Sequence, residues 1–190
     1  MDTVEIWLVR HGQTQFNLIG RLSGWSDIAL TELGRAQARA LRPLLEGREY
    51  HGVWSSDLPR AIETARLAWG EPTPDRRLRE IDFGDYEGLS FETVPPQAQQ
   101  ALLEYDGFFA PGGESLRDLE LRVEAFLNTL PKGRHLVFTH GGVVRGMLHG
   151  LGPERYAANG SIAVMDWTQR RLLALHDNPI PREPAPAPAN

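Results

Sequence analysis

Residues 4–12 read VEIWLVRHG, an apolar and β-branched run that stops at a polar segment containing glycine. This pattern predicts a buried strand from Val4 to Val9 that ends in a loop. Arg10 and His11 are the first residues after that strand. Because reactive side chains in α/β proteins collect at the carboxyl ends of strands, the stretch indicates both a strand of the sheet and a candidate site.

Strand and helix patterns alternate along the rest of the chain. Helices are predicted from Thr31 to near Gly47, from Pro59 to Gly70, from Ser115 to Pro131 and from 142 to 151. Strands are predicted at 52–55, 136–138, 161–167 and 171–176. Residues 81–113 lack a regular pattern and are interpreted as an excursion over one end of the sheet, with the properties of a lid. The alternation predicts an α/β fold.

Length and composition limit the possible classes of protein. The 190 residues suit one domain, predicted at 1–178, followed by a Pro/Ala-rich tail at 179–190 that should be extended and mobile. A net charge of −5 disfavours nucleic acid and anionic membrane surfaces as partners. The absence of cysteine excludes thiolate catalysis and a disulfide framework. Since no export signal and no membrane-spanning stretch are recognised, a cytoplasmic location is expected.

Basic and imidazole groups follow three separate predicted strands. Arg10 and His11 follow the first, Arg60 lies just beyond the second, and His140 follows the strand at 136–138. Two arginines offer forked donors that match phosphate oxygens, and two histidines can supply a nucleophile and its partner. Taken alone, each residue has a structural alternative, such as an ion pair between Arg60 and Asp57. Together they indicate phosphoryl-group chemistry.

Glycine follows both histidines, in RHG at 10–12 and in HGG at 140–142. Without a side chain, Gly141 would let a bound phosphate approach the backbone N–H donors near the start of a helix. These two segments therefore have the properties of a phosphate-binding cradle.

Five motifs occur in order along the chain. They are LVRHGQTQFN at 8–17, SSDLPRAIETA at 55–65, LREIDFGDYEG at 78–88, PGGES at 111–115 and THGGVVRG at 139–146. In these motifs the chain resembles the histidine phosphatase superfamily, and five ordered motifs are far more specific than RHG alone would be. The resemblance implies the phosphoglycerate-mutase-like fold, a three-layer α/β/α sandwich with a mostly parallel central sheet.

The resemblance also implies roles for individual residues. His11 matches the histidine that attacks phosphorus and becomes phosphohistidine, and Glu80 matches the proton donor to the leaving oxygen. The residues that match those around the transferring phosphoryl group are Arg10, Asn17, Arg60 and His140. Ser23 and Gly24 align with a segment that offers backbone donors to the substrate. No metal or other cofactor is expected, because the arginines supply the positive charge that stabilises the transferring group.

Other acids lie close to Glu80 in the sequence, namely Asp82, Asp85 and Glu87. They could belong to the same site, but a solvated or turn-capping role suits these side chains equally well. Glu80 is therefore the preferred acid.

The superfamily that the chain resembles contains both phosphatases and mutases, and residues 17–34 are mutase-like. Three features favour a phosphatase. Residues 80–116 contain eight acids and no Lys or Arg, so they offer no cation to a second anionic group. This excursion is shorter than in mutases and leaves a smaller lid against water. HGGV at 140–143 is the form common in phosphatases, where mutases usually have Asn after the first Gly.

The expected function is therefore a metal-independent phosphomonoesterase that acts through phosphohistidine on a small-molecule phosphate ester. The FGDYEG and PGGES motifs are shared with alpha-ribazole phosphatases, which makes a nucleoside-like ester one candidate and broad specificity another. Two alternatives stay open: a cofactor-dependent phosphoglycerate mutase, and a non-catalytic protein that binds phosphorylated ligands. Pairing of two copies through an edge strand, giving a homodimer, is compatible with such a sheet.

Overall fold

The central sheet is organised around the first strand. In a computed structural model, which describes residues 2–151 and 157–181, β1 (Val4–Arg10) pairs in parallel with β4 (Gly133–Thr139) and antiparallel to β5 (Ile162–Asp166). The remaining strands are β2 (Gly52–Ser55), β3 (Thr73–Pro74) and β6 (Arg171–His176). Their order is β3-β2-β4-β1-β5-β6, and β3, β2, β4 and β1 run parallel. The mostly parallel sheet is therefore confirmed.

The helices begin where the sequence carries start signals. They are α1 (Gln15–Leu18), α2 (Glu32–Ala40), α3 (Arg42–Leu45), α4 (Pro59–Ala68), α5 (Pro96–Glu104), α6 (Leu116–Leu127) and α7 (Gly141–Leu148). The hydroxyls of Thr31 and Ser115 cap α2 and α6 by accepting a backbone N–H of the first turn. In the part of the chain that the structure describes, no helix has the length and apolar character needed to cross a membrane.

The helices cover both faces of the sheet. Because successive side chains of a strand point to opposite faces, β1 contributes to two separate cores. Ile6 and Leu8 belong to a buried cluster that includes residues of α6 and α7, whereas Trp7 and Val9 belong to a second cluster with residues of α3 and α4. Two cores separated by one sheet confirm the three-layer sandwich.

Several boundaries differ from those predicted. The helix expected from Thr31 to Gly47 is divided after Ala40, since Pro43 has no N–H to donate to the preceding turn. Helix α6 ends at Leu127 rather than at Pro131, and α7 ends at Leu148 rather than at 151. The two-residue strand β3 was not predicted, because so short a segment carries no periodic pattern.

The excursion is more regular than its sequence indicates. It contains short 3-10 turns at Gly84–Tyr86 and Phe91–Thr93, and then the nine-residue helix α5. The interpretation of 81–113 as irregular was wrong for α5. No residue of this helix is fully buried. Its inward face consists of the half-buried Ala98, Ala101 and Leu102, so the apolar pattern that it leaves in the sequence is weak.

The junction between the predicted domain, which ends at Asn178, and the predicted tail packs against the rest of the domain. The Asn178 side chain donates to the backbone carbonyls of Gln37 and Gly160 at 3.0 Å each. The carbonyl of Ile180 accepts a bond from the Gln37 amide at 3.4 Å. The chain therefore lies against α2 up to Ile180, and the rest of the predicted tail, 182–190, lies outside the described residues.

Candidate active site

The ends of β1 and β4 bring the two candidate histidines together. The backbone N–H of His11 donates to the carbonyl of Thr139 at 3.0 Å, so the two strands are still paired where they end. The ring centroids of His11 and His140 are 5.1 Å apart, in an edge-to-face arrangement. The structure therefore places side by side two residues that are 129 positions apart in the sequence.

The hydrogen bonds of His11 assign its tautomer. Its Nδ1 lies 2.7 Å from the carbonyl oxygen of Gly12, which requires a proton on Nδ1. The Nε of Arg60 donates to His11 Nε2 at 3.3 Å, which requires a lone pair there. Burial, followed by the charges of Arg60 and Arg10, holds the pKa of His11 well below its ordinary value. The ring is therefore neutral at physiological pH, and its nucleophilic lone pair is on Nε2, where it accepts the bond from Arg60.

His140 is equally buried and neutral. Burial and the charge of Arg60 are the main causes that lower its pKa well below the ordinary value. Neither ring nitrogen of His140 has a hydrogen-bond partner among the described residues. Its backbone caps helix α7, which starts at Gly141. A buried imidazole of this kind can offer one N–H and one lone pair to a bound group.

Gly12 lets the loop after β1 pack directly against the backbone of helix α2. A Cβ at this position would lie 2.2 Å from the carbonyl oxygen of Gly34 in helix α2, so no other residue fits. The Gly12 N–H donates to the Thr64 hydroxyl of helix α4 at 3.1 Å. Helices α2 and α4 thus hold the loop that carries His11.

Arg60 is fully buried and tied to the loop at 23–26. Its Nη groups donate to the backbone carbonyls of Gly24 at 2.6 Å and Ser26 at 3.0 Å. Burial lowers its pKa to about 10, so it keeps its positive charge at neutral pH. The alternative pairing with Asp57 does not occur, because Asp57 binds Arg79 through two bonds of 2.7 Å.

Ser23 faces the cavity, whereas the backbone N–H of Gly24 is bonded within the protein. Ser23 lines the cavity described below, and its buried hydroxyl has no hydrogen-bond partner among the described residues. The N–H of Gly24 instead donates to both carboxylate oxygens of Glu87, at 2.9 and 3.0 Å. The backbone donor expected of Gly24 is therefore already used within the protein, and Glu87 acts as a loop anchor rather than as an acid facing the cavity.

Glu80 lines the same cavity as His11, and both of its carboxylate oxygens are bonded to backbone. Oε1 accepts the N–H of Ile81 and Oε2 accepts the N–H of Gly142, each at 2.9 Å. The backbone carbonyl of Glu80 accepts bonds from the Trp25 indole at 2.8 Å and from the Arg122 guanidinium at 2.7 Å. Both the side chain and the main chain of this residue are therefore fixed.

Arg122 was missed in the sequence. From helix α6 it donates to the carbonyls of Arg77, Arg79 and Glu80, and it forms a largely buried ion pair with Glu114 at 2.8 Å. It therefore holds the segment that carries the acid. No motif or spacing distinguishes Arg122 from the solvated charges of an amphipathic helix, so the sequence alone gives no signal for this role.

Asn17 is oriented by Asn159, which the sequence also did not reveal. The Oδ1 of Asn17 accepts the Thr14 N–H at 3.1 Å and the Asn159 side-chain amide at 3.0 Å. The same amide of Asn159 donates to the carbonyl of His11 at 3.2 Å. With Oδ1 occupied, the NH2 of Asn17 is the group that this residue can offer to a ligand.

A cavity of about 250 Å³ opens beside these groups. The candidate residues that line it are Arg10, His11, Asn17, Ser23, Glu80 and Gly141. Its apolar wall is formed by Leu22, Ile81, Phe83, Leu102, Tyr105 and Leu116. His140 and Arg60 are fully buried behind this lining. The cavity thus has a polar side that can hold a phosphate and an apolar side for the rest of a small molecule.

Two further arginines line the cavity from outside the excursion. Arg21 comes from the loop after α1, and Arg145 comes from α7. Arg145 donates to the carbonyls of Leu102 and Leu103 at 2.6 Å and thereby holds α5. The cavity therefore has additional cations, although residues 80–116 contain none. This weakens the sequence-based expectation that the site lacks cations for a second anionic group.

Comparisons with known proteins agree on one family. A model of the histidine phosphatase superfamily, branch 1, matches residues 6–178. The glucosyl-3-phosphoglycerate phosphatase of Mycobacterium tuberculosis is 34% identical over 185 residues, which cover 85% of this chain and 82% of that protein.

The solved structures that resemble this chain include one named as a mutase and one named as a phosphatase. The crystal structure of a phosphoglycerate mutase from Thermus thermophilus is 47% identical and superposes with a TM-score of 0.84, covering 90% of this chain and 98% of that one. A putative alpha-ribazole-5'-P phosphatase from Escherichia coli is 28% identical with a TM-score of 0.78, covering 95% and 100%. The phosphoglycerate-mutase-like fold is therefore confirmed.

Proposed function

Because the chain belongs to the histidine phosphatase superfamily, we propose that it is a phosphomonoesterase that passes a phosphoryl group through His11 to water. One observation carries the proposal. The neutral His11 ring presents Nε2 beside the buried charge of Arg60, at a cavity that Glu80 also lines. A nucleophile, a cation and an acid are the groups that transfer from a phosphate monoester requires.

In the first step, the Nε–H of Arg60 gives up its bond to His11 Nε2, and the Nε2 lone pair attacks phosphorus in line with the ester oxygen. The P–O bond to the leaving group breaks, and Glu80 in its acid form gives that oxygen a proton. Arg10 and Arg60 stabilise the charge on the equatorial oxygens, and the Nδ1 proton stays bonded to the carbonyl of Gly12. The products are phosphohistidine and a free alcohol.

In the second step, water attacks the same phosphorus atom. The Glu80 carboxylate accepts a proton from the water, the P–N bond breaks, and the lone pair returns to His11 Nε2. Inorganic phosphate is released, and Glu80 is again an acid. One carboxyl group thus serves as acid and then as base, without net change in the protein.

A phosphoglycerate mutase is the second candidate. Arg21 and Arg145 favour it, because they supply cations for a substrate that carries a carboxylate as well as a phosphate. The name of the 47% identical relative from Thermus thermophilus points in the same direction. The two candidates differ only in whether water or a second hydroxyl receives the phosphoryl group from His11.

One assay separates these candidates. Purified protein is incubated with 4-nitrophenyl phosphate, alpha-ribazole phosphate, glucosyl-3-phosphoglycerate, and 3-phosphoglycerate with its bisphosphorylated primer, with His11→Asn as the control. Release of inorganic phosphate that the control lacks supports the phosphatase. Interconversion of phosphoglycerate isomers without release supports the mutase. Phosphate-ester binding without either reaction would instead support a non-catalytic binder.

A further inference from the structure

The side chain of Tyr105 extends from the active-site cavity to the lining of a second cavity. It is part of the apolar wall of the cavity that His11 lines. At its other end, the hydroxyl oxygen lies against helix α7, where a Cβ built on Gly146 would be 2.2 Å away. Gly146, Met147 and His149 line a second cavity of about 200 Å³. Because one side chain reaches the lining of both cavities, its ring forms a partition between them.

The ring of Tyr105 is held by groups that bind aromatic rings. The guanidinium of Arg145 lies 4.9 Å from the ring centroid. The centroid of the His149 ring lies 5.1 Å away, on a tilted plane. Arg145 also donates to the carbonyls of Leu102 and Leu103, in the last turn before Tyr105. Cation–π and ring–ring contacts are the interactions that hold an aromatic ligand, so the place that Tyr105 fills has the properties of a ring-binding site.

Neither the main chain nor the hydroxyl of Tyr105 accounts for a tyrosine at this position. The residue ends helix α5 with φ 55° and ψ 38°, a left-handed conformation that favours glycine. Its hydroxyl is buried and has no hydrogen-bond partner among the described residues. The feature of Tyr105 that the structure uses is therefore the aromatic ring.

We propose that Tyr105 is a specificity-determining residue, whose ring closes the apolar side of the active-site cavity and selects esters with a compact leaving group. This inference rests on the proposed hydrolysis through His11. A leaving group of one aromatic ring lies along the apolar wall, whereas a second ring in line with the first meets the ring of Tyr105. Without the Tyr105 ring, that second ring would take its place against Arg145 and His149.

The test is Tyr105→Gly, assayed on phenyl phosphate and on 4-biphenylyl phosphate. Both leaving groups are phenols of similar acidity, so the two esters differ in length rather than in their need for a proton. Glycine suits the left-handed backbone, so the variant removes the ring and retains the end of α5. The ratio of kcat/KM for the biphenylyl ester to that for the phenyl ester should rise at least about 10-fold, because one more aromatic ring is buried.

Two controls separate the ring from other changes at the end of α5. Tyr105→Phe retains the ring and should keep the wild-type ratio between the two esters. Leu103→Ala shortens an exposed apolar side chain of the same helix and should match the wild type on both esters. If Tyr105→Gly does not fold, Tyr105→Asn is measured in its place, since asparagine also tolerates the left-handed backbone.

An unchanged ratio in the variant that lacks the ring, or an equal rise in Tyr105→Phe or Leu103→Ala, would overturn the role of the Tyr105 ring while leaving the phosphatase intact. If the wild-type protein releases phosphate from neither ester, the proposed function itself fails, and the role of Tyr105 fails with it.

Discussion

The cavity has two sides that are built in different ways. The strand-end side consists of residues 10–17, 60 and 140–142, and its geometry follows from the pairing of β1 with β4. The excursion side consists of residues 80–116. Besides backbone bonds to residues 20–22, it is held by single side chains from other elements, Arg122 at Glu80 and Arg145 at the end of α5. The sheet therefore determines where the nucleophile lies, whereas tertiary contacts determine where the acid and the apolar wall lie.

Removal of the nucleophile on the strand-end side should give the largest effect. His11→Asn is expected to lower turnover at least about 10⁴-fold on every ester, because both activated and unactivated leaving groups need Nε2. Phosphate release from phenethyl phosphate, an alkyl ester, and from 2,4-dinitrophenyl phosphate, an activated ester, measures this. A variant that keeps a tenth of the wild-type rate on either ester would place the nucleophile elsewhere.

Removal of the acid on the excursion side should give a smaller and selective effect. Glu80→Gln retains the size of the side chain but cannot give a proton, so kcat on the alkyl ester should fall about 10²–10³-fold with little change in KM. The exposed Glu92 of the same excursion provides the matched control, Glu92→Gln, which should retain wild-type kinetics. Similar kinetics for the two variants would remove Glu80 from the mechanism.

Loss of the contacts of Arg122, which hold the excursion side, should lower the free energy of unfolding more than it lowers the catalytic rate. Arg122→Leu leaves Glu114 without its partner, and we expect a loss of about 2–4 kcal/mol in the free energy of unfolding and about 10-fold in kcat on the alkyl ester. Urea unfolding and steady-state kinetics measure the two effects.

The matched control lies on the same helix. Arg117 pairs with Glu120 at 3.5 Å and is largely exposed, so Arg117→Leu should change the free energy of unfolding by no more than about 1 kcal/mol. If the two variants lose equal stability, Arg122 has no special part in holding the excursion.

The buried histidines of the strand-end side should make stability depend on pH. The pKa values of His11 and His140 are lowered by burial, so below about pH 6.5 the unfolded chain binds protons that the folded protein does not. The free energy of unfolding should therefore decrease as the pH falls, by up to about 1.4 kcal/mol per pH unit for each histidine. Urea unfolding between pH 7.5 and 5.5 measures the slope, which should be shallower in His11→Asn. A slope of zero or of the opposite sign would contradict neutral burial.

The strand-end side could be predicted from the sequence better than the excursion side, for a physical reason. Buried strands, capped helices and the motifs after them are local patterns, so the sequence alone indicates the α/β fold, the family and the candidates His11, Arg60 and His140. The roles of Arg122 and Asn159 depend on segments that meet only in the folded chain. Helix α5 packs only half-buried residues, mostly alanines, against the core, so its periodic pattern in the sequence is weak.

Direct detection of the covalent intermediate tests the central claim most sharply. The protein is mixed with excess 4-nitrophenyl phosphate, quenched in alkaline denaturant within the first turnovers, and digested for peptide mass mapping. The mechanism predicts one phosphate on the peptide that contains His11, stable in alkali, lost in acid, and absent from His11→Asn. A wild-type protein that releases phosphate at full rate without ever carrying phosphate on His11 would contradict the account.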